Sequence, residues 1–379
     1  MGGEPPIPRG SITCGRATMI VEQASRGGAK FWETGAGKSF ASNWAAYFLV
    51  LMLIVFGFTG ANFLSVTNFQ NVIHLQTVPL LLAAAETFVI ITGGIDLSVG
   101  FVMGLASVGA ASLMQIFVAA ALPVGWTIGL ATAIVLIASV VPGFVSGIVI
   151  TRFKVPPFIA TMGMWGIANG VALKISQGFP MAGLPDKLTS IGNGYLLYVL
   201  PGQFVSAFAK PDYFPDSRIR ELWRLVPFSL PFIIVAISVL SFALKRGRFG
   251  RHTYAIGGNV DAAIRSGISV DRHLVKVYVL SSFLAGLGGV FNVFQTGIGN
   301  YTTFNAQYEF FAVAAVVIGG ASLMGGKGRI WSSAIGVLVL AFLENGLSIS
   351  GVQPFYRYIA VGVLLVLAVV IDKLFPDIR

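Results

Sequence analysis

Two long stretches of this chain carry no formal charge. No Asp, Glu, Lys or Arg occurs between Lys38 and Glu86, and none occurs in residues 97–151. About 20 consecutive apolar residues cross a bilayer as a helix, and inside the hydrocarbon each backbone polar group has to be bonded within the protein. Stretches of this kind restrict the chain to bundled membrane helices. The composition agrees: of 379 residues, 55% are hydrophobic and 11% charged, against about 25% charged in soluble domains.

The apolar runs predict an all-α polytopic membrane protein with about ten transmembrane helices, at 47–64, 72–92, 99–118, 126–149, 157–174, 226–244, 277–297, 308–324, 331–350 and 355–372. They form one transmembrane domain over 47–375. Residues 1–46 are polar, rich in Gly, Ser and Arg, and lack the apolar core of a cleaved signal peptide, which predicts a disordered cytoplasmic leader with Met19 as a candidate start. Residues 175–225 hold prolines at 180, 185, 201, 211 and 215 among mixed charges. They read as a surface excursion whose apolar patch, 195–200, is too short to span.

The basic residues fix an orientation. With the N-terminus inside, the inner segments are 1–46, 151–156, 245–276, 325–330 and 373–379. They carry five, two, seven, two and two Lys or Arg, 18 of the chain's 25. Positive charge marks the cytoplasmic side, so both termini are expected there. The formal net charge of +10 is explained by these loops and calls for no nucleic acid. The single cysteine, Cys14, excludes an internal disulfide, and the scattered His74, His252 and His273 make no metal motif. Gly35–Ser39 imitates the end of a phosphate-binding loop, but Trp32 stands where its first glycine belongs. With no nucleophile set either, the sequence predicts a non-enzyme with no cofactor and no metal of its own.

Within the apolar runs, Phe88 to Gly104 stands out. An apolar run halts at Gly93-Gly94, admits Asp96, and turns apolar again after Ser98. The glycines permit backbone that side chains forbid, and Asp96 or Ser98 can cap a new helix. Two readings remain: a tight surface loop with an acid cap, or irregular backbone lining a cavity of a translocation pathway. A related string ends the run near Gly319-Gly320. Val89-Ile-Ile-Thr-Gly-Gly and Val316-Val-Ile-Gly-Gly therefore read as a same-direction internal repeat with broken helices near Gly93 and Gly319, or as two glycine-rich helices alike by composition.

Four acids fall at membrane depth: Glu86, Asp96, Glu309 and Glu344. Glu309, near a span end, reads as solvated. The others are either hydrogen-bonding partners in helix packing or elements of a proton path, which would suit an ion-coupled secondary transporter. Gly143–Gly147, Gly100–Gly104 and Gly166–Gly170 are spaced for close helix contact.

The inner segment 245–276 holds a short predicted helix, 260–266, capped by Asn259 and stopped by Gly267. Spacing puts Val260, Ala263, Ile264 and Gly267 on one face and Asp261 and Arg265 on the other. That face suits a partner's groove or the protein's own core.

Asp261-Ala262-Ala263-Ile-Arg265-Ser-Gly267 resembles the Glu-Ala-Ala-x-x-x-Gly loop by which bacterial ABC-importer permeases contact their ATPase, with Asp in place of Glu and the later Leu-Pro absent. Ile91-Thr-Gly-Gly-Ile-Asp-Leu-Ser-Val-Gly100 resembles the signature of the simple-sugar branch of those permeases, and Val317 to Gly326 is similar to that branch as well. The resemblance implies import of ribose, galactose, xylose, related sugars or autoinducer furanones across a bacterial inner membrane. It also implies a homo- or heterodimer of permeases, an ATPase inside, and a periplasmic sugar-binding protein outside. The excursion at 190–224 is longer than is usual in that branch.

Overall fold

A computed structural model describes residues 35–200, 204–208, 222–301 and 307–374. Its helices are α1 (Gly35–Thr59), α2 (Val66–Leu75), α3 (Thr77–Ile91), α4 (Val99–Ala119), α5 (Val124–Ala138), α6 (Val140–Arg152), α7 (Pro157–Ser176), α8 (Lys187–Asn193), α9 (Ser229–Arg246), α10 (Arg248–Gly258), α11 (Val260–Arg265), α12 (Val270–Thr296), α13 (Tyr308–Ile318), α14 (Ile330–Ile349) and α15 (Pro354–Leu374). α1 begins inside the segment read as a leader. Residues 1–34 lie outside the described residues.

Among the described residues, six helical spans are long and apolar enough to cross a membrane: α4, Val124–Arg152, α7, α9, α12 and α14. The protein is a multi-pass membrane protein. α2 and α3 together would make a seventh span, bent by 47°, and Asn43–Thr59, Tyr308–Ile318 and Pro354–Val370 are apolar but shorter. Proline explains two of the irregularities. Pro79 has no N–H for Leu75, so α2 and α3 cannot run on as one helix. Pro142 likewise cannot bond Ala138, and the expected span 126–149 divides at Ser139. α12 starts at Val270, seven residues before its expected start. Val270, His273 and Val277 turn inward while Asp271, Arg272 and Lys276 stay exposed, so the charged residues lengthen the helix.

α12 is the central helix, packed against α3, α4, α6 and α8. Small residues bring it close. A side chain on Gly143 would strike the Tyr278 carbonyl, one on Gly147 would lie 2.8 Å from the Val275 Cα, and one on Gly289 would strike the Met103 carbonyl. Gly143 also donates its N–H to Ser282 Oγ at 3.0 Å. Gly166 and Gly170, expected to pack in the same way, face open space on α7.

The excursion contains a sheet that its composition did not announce. β1 (Tyr195–Leu200), β2 (Phe204–Ala207) and β3 (Trp223–Pro227) pair antiparallel in the order β2-β1-β3. The patch 195–200 is thus the central strand. Alternation explains it: Tyr198 and Leu200 point to one face, where Leu222 joins them in a small core with Tyr195 and Phe204. Gln70 of α2 ties the sheet down by donating to the Arg224 carbonyl at 2.9 Å.

Candidate functional site

All fifteen residues of α3 are buried, and α3 ends at the glycine pair. Gly93 has φ +81°. Its N–H bonds the Ile90 carbonyl at 2.9 Å, and the Gly94 N–H bonds the Val89 carbonyl at 3.1 Å. This is a Schellman stop, which needs a left-handed residue after the cap. The chain then runs irregularly to α4 at Val99, within the core. α3 and α4 do not fold back on each other; α12 packs against both.

The irregular stretch buries three successive N–H groups, and side chains accept all three. The Asp96 N–H bonds Glu86 Oε1 at 2.9 Å, the Leu97 N–H bonds Thr161 Oγ1 of α7 at 3.2 Å, and the Ser98 N–H bonds Asp96 Oδ1 at 3.0 Å. Asp96 Oδ1 also accepts from Ser98 Oγ at 2.6 Å, and Oδ2 accepts from Ser281 Oγ of α12 at 2.8 Å. Glu86 and Asp96 are 0% and 2% exposed. Among the described residues, no Lys, Arg or His pairs with either acid. Their visible work is to replace the missing backbone partners of an unwound segment, as buried polar groups require. Among the described residues, Glu86 Oε2 and the Tyr278 hydroxyl are buried without a partner. The hydroxyl sits against Gly94, where it would be 2.5 Å from any added Cβ.

The second glycine string is built alike. α13 ends at Ile318, and Gly320 has φ +93°. The Gly320 N–H bonds the Val317 carbonyl at 2.8 Å and the Ala321 N–H bonds the Val316 carbonyl at 3.1 Å. The two strings align with Gly320 over Gly93, one position away from the pairing by glycine pairs. They also meet. The Gly326 N–H donates to the Ile91 carbonyl at 2.8 Å, and Gly257 of α10 is pressed against that same carbonyl, where a Cβ would overlap it.

α10 therefore carries the segment 245–276 onto both helix breaks. Tyr254 of α10 donates to the Gly328 carbonyl at 2.7 Å. Burial raises its phenol above the ordinary value, against the pull of Arg329, so it stays a donor. α11 follows with Asn259 as its cap, its side chain accepting from the Ala262 N–H at 2.9 Å. Gly267, φ +79°, ends it in the same kind of stop: Gly267 N–H to the Ile264 carbonyl and Ile268 N–H to the Ala263 carbonyl.

The expected common face divides. Ala263 alone turns inward, into a small core with Ile256 and Val270. Val260 and Ile264 are 46% and 55% exposed; Asp261, Ala262, Arg265 and Gly267 are exposed as well. Glu309 also departs from expectation. It is 4% exposed, with its carboxyl against Gly100 in the first turn of α4, because α13 packs there. Glu344 stays apart on α14, near Arg357. The sequence did not point to Thr161, Tyr278 or Ser281. A hydroxyl residue in an apolar helix carries no spacing signal.

A family model described as a branched-chain amino acid transport system permease component matches residues 68–369. The chain belongs to this permease family. The ribose import permease of Bacillus subtilis (strain 168) is 34% identical over 86% of this chain and 90% of its own length. The ribose import permease of Haemophilus influenzae is 32% identical over 86% and 91%, and the D-allose transport permease of Escherichia coli (strain K12) 31% over 89% and 94%. No solved structure matches. As a family member, this chain is a transport permease subunit.

Proposed function

We propose that this chain is the membrane-spanning permease of an ATP-driven sugar importer. It would move a monosaccharide or a similar small polyhydroxylated solute, delivered by a periplasmic binding protein. Near full-length similarity to permeases named for ribose and allose carries the reading. The family description names branched-chain amino acids. Where the two differ, relatives sharing about a third of their residues across the whole fold weigh more.

In this reading the chain sits in an inner membrane, pairs with a second permease, and has cytoplasmic termini, as its basic loops support. The bent pair and the three shorter apolar helices complete ten spans, and the two matching helix stops are the remains of a same-direction repeat. α11 is the contact for a separate ATPase. Val260 and Ile264 are its outward apolar pair, while Ala263 anchors it to this chain. Motion of the ATPase would then reach both breaks through Gly257.

The test is Ile264→Asp in the whole transporter. Normal permease levels, loss of ATPase co-purification and at least tenfold slower sugar uptake are expected. Ala263→Arg acts differently, by opening the chain's own core and lowering permease levels. Full ATPase binding by Ile264→Asp would remove α11 as the contact. Ion-driven sugar transport by this chain alone in liposomes would favour a secondary transporter.

A further inference from the structure

A groove of about 670 Å³ opens on the surface between α6, α9 and α12. Phe144 of α6, Ala243 of α9, Phe249 of α10, and Val279 and Phe283 of α12 line it, and Lys276 of α12 stands at one end. From Lys276 to Phe283 the groove follows α12 for about 10 Å, at 1.5 Å per residue. Its walls are apolar apart from Lys276. Its mouth is basic, because Arg248 directly precedes Phe249, and Lys245 and Arg246 lie two and three residues beyond Ala243, all three cations exposed. The acid nearest in sequence to Lys276, Asp271, is taken up by Lys154 at 3.1 Å.

We propose that this groove is a binding site for an anionic phospholipid, with an acyl chain along α12 and the phosphate at Lys276 and the basic turn after α9. Three observations fit one occupant. The groove lies among helices that cross the membrane, its depth is apolar, and cations gather at one end, on the side the basic loops mark as cytoplasmic. Basic clusters beside membrane helices attract anionic headgroups at about 1 kcal/mol per residue. A second copy of this chain would bring a like-charged inner segment to the same mouth, which disfavours it there.

The test is native mass spectrometry of the purified full-length permease, titrated with phosphatidylglycerol or with phosphatidylcholine of the same chains. Wild type should hold one phosphatidylglycerol several-fold more tightly than phosphatidylcholine. Lys276→Gln changes an exposed side chain; it should weaken phosphatidylglycerol about fivefold and leave phosphatidylcholine unchanged. Ala243→Trp, filling the groove, should weaken both lipids. Equal affinity of wild type for the two lipids would overturn the proposal, as would a headgroup preference that Lys276→Gln leaves undiminished. If Ala243→Trp converted dimer to monomer with lipid binding intact, the groove would be a contact between copies and the proposal would also fall.

Discussion

At the ends of α3 and α13 the backbone makes the same turn, yet glycine solves a different problem at each. Gly93 and Gly320 supply the left-handed residue of each stop. Beyond that the two diverge. At the first break the following residue is Gly94, which leaves room for the Tyr278 hydroxyl; at the second it is Ala321, buried with its methyl in place. At the second break the cap is Gly319, because a side chain there would strike the Ser332 carbonyl of α14; at the first it is Thr92, whose hydroxyl bonds the Val89 carbonyl at 2.7 Å. The first break is lined with buried acids, whereas the second opens beside Lys327 and Arg329. One backbone device thus serves a polar core at one break and a basic surface at the other. Their connection is the Ile91 carbonyl.

The most damaging way to disturb the pair is at that connection. Gly257→Ala puts a methyl into the Ile91 carbonyl, a backbone atom that cannot rotate away, and should cost about 3 kcal/mol or more. Both breaks would loosen together. Thermal unfolding of the purified permease measures it, and a midpoint within a degree of wild type would show that the breaks are not joined there.

Next in size is Asp96, which has no counterpart at the second break. Asp96→Ala strands the Ser98 N–H and removes the acceptor for Ser98 and Ser281, at about 1–3 kcal/mol. Asp96→Asn keeps one carbonyl oxygen for the Ser98 N–H and should be nearer wild type in level and uptake. Equal inactivity of both at normal protein level would mean that the charge is required, not the acceptor.

Much of this difference was hidden in the sequence, for physical reasons. The charge-free stretches expose the membrane helices because bilayer energetics act on each residue singly. Glu86 and Asp96 were conspicuous for the same reason, as isolated charges in apolar runs. Their joint role was not, since Ser281 lies 185 residues from Asp96 in sequence and reaches it only through the packing of α12. The face of α11 is not legible from spacing, because a helix of six residues is too short for periodicity to separate inward from outward. Ala263, with the smallest side chain among Val260, Ala263 and Ile264, is the one that fits the core. The strand at 195–200 does not stand out in sequence, because all six of its residues are apolar or aromatic and only the packing of Leu222 against Tyr198 and Leu200 distinguishes its two faces.

A sharper probe of the comparison exchanges the residues after each stop. Gly94→Ala copies Ala321 into the first break, where its methyl meets the Tyr278 hydroxyl. A cost of about 1–2 kcal/mol is expected, since that hydroxyl ends an otherwise packed ring. Tyr278→Phe removes the obstacle and an unpartnered buried oxygen together. The double variant should therefore recover most of the loss, a coupling that thermal unfolding can read as a double-mutant cycle. Additive losses would place the strain elsewhere.

The smallest effect tests the sameness of the two breaks. Gly93→Ala has room, since its nearest neighbour, the Met324 carbonyl, would lie 3.8 Å from the new methyl. What remains is the left-handed backbone, worth about 1–2 kcal/mol for an L-residue. Gly320→Ala imposes the same backbone demand at φ +93°, so the two variants should lower the unfolding midpoint by similar amounts. Asn tolerates that conformation better than Ala, and Gly93→Asn and Gly320→Asn should each recover part of the loss. If Ala at 93 abolished folding while Ala at 320 did nothing, the stops would share hydrogen bonds without sharing energetics, because the acids around Gly93 had made its geometry obligatory.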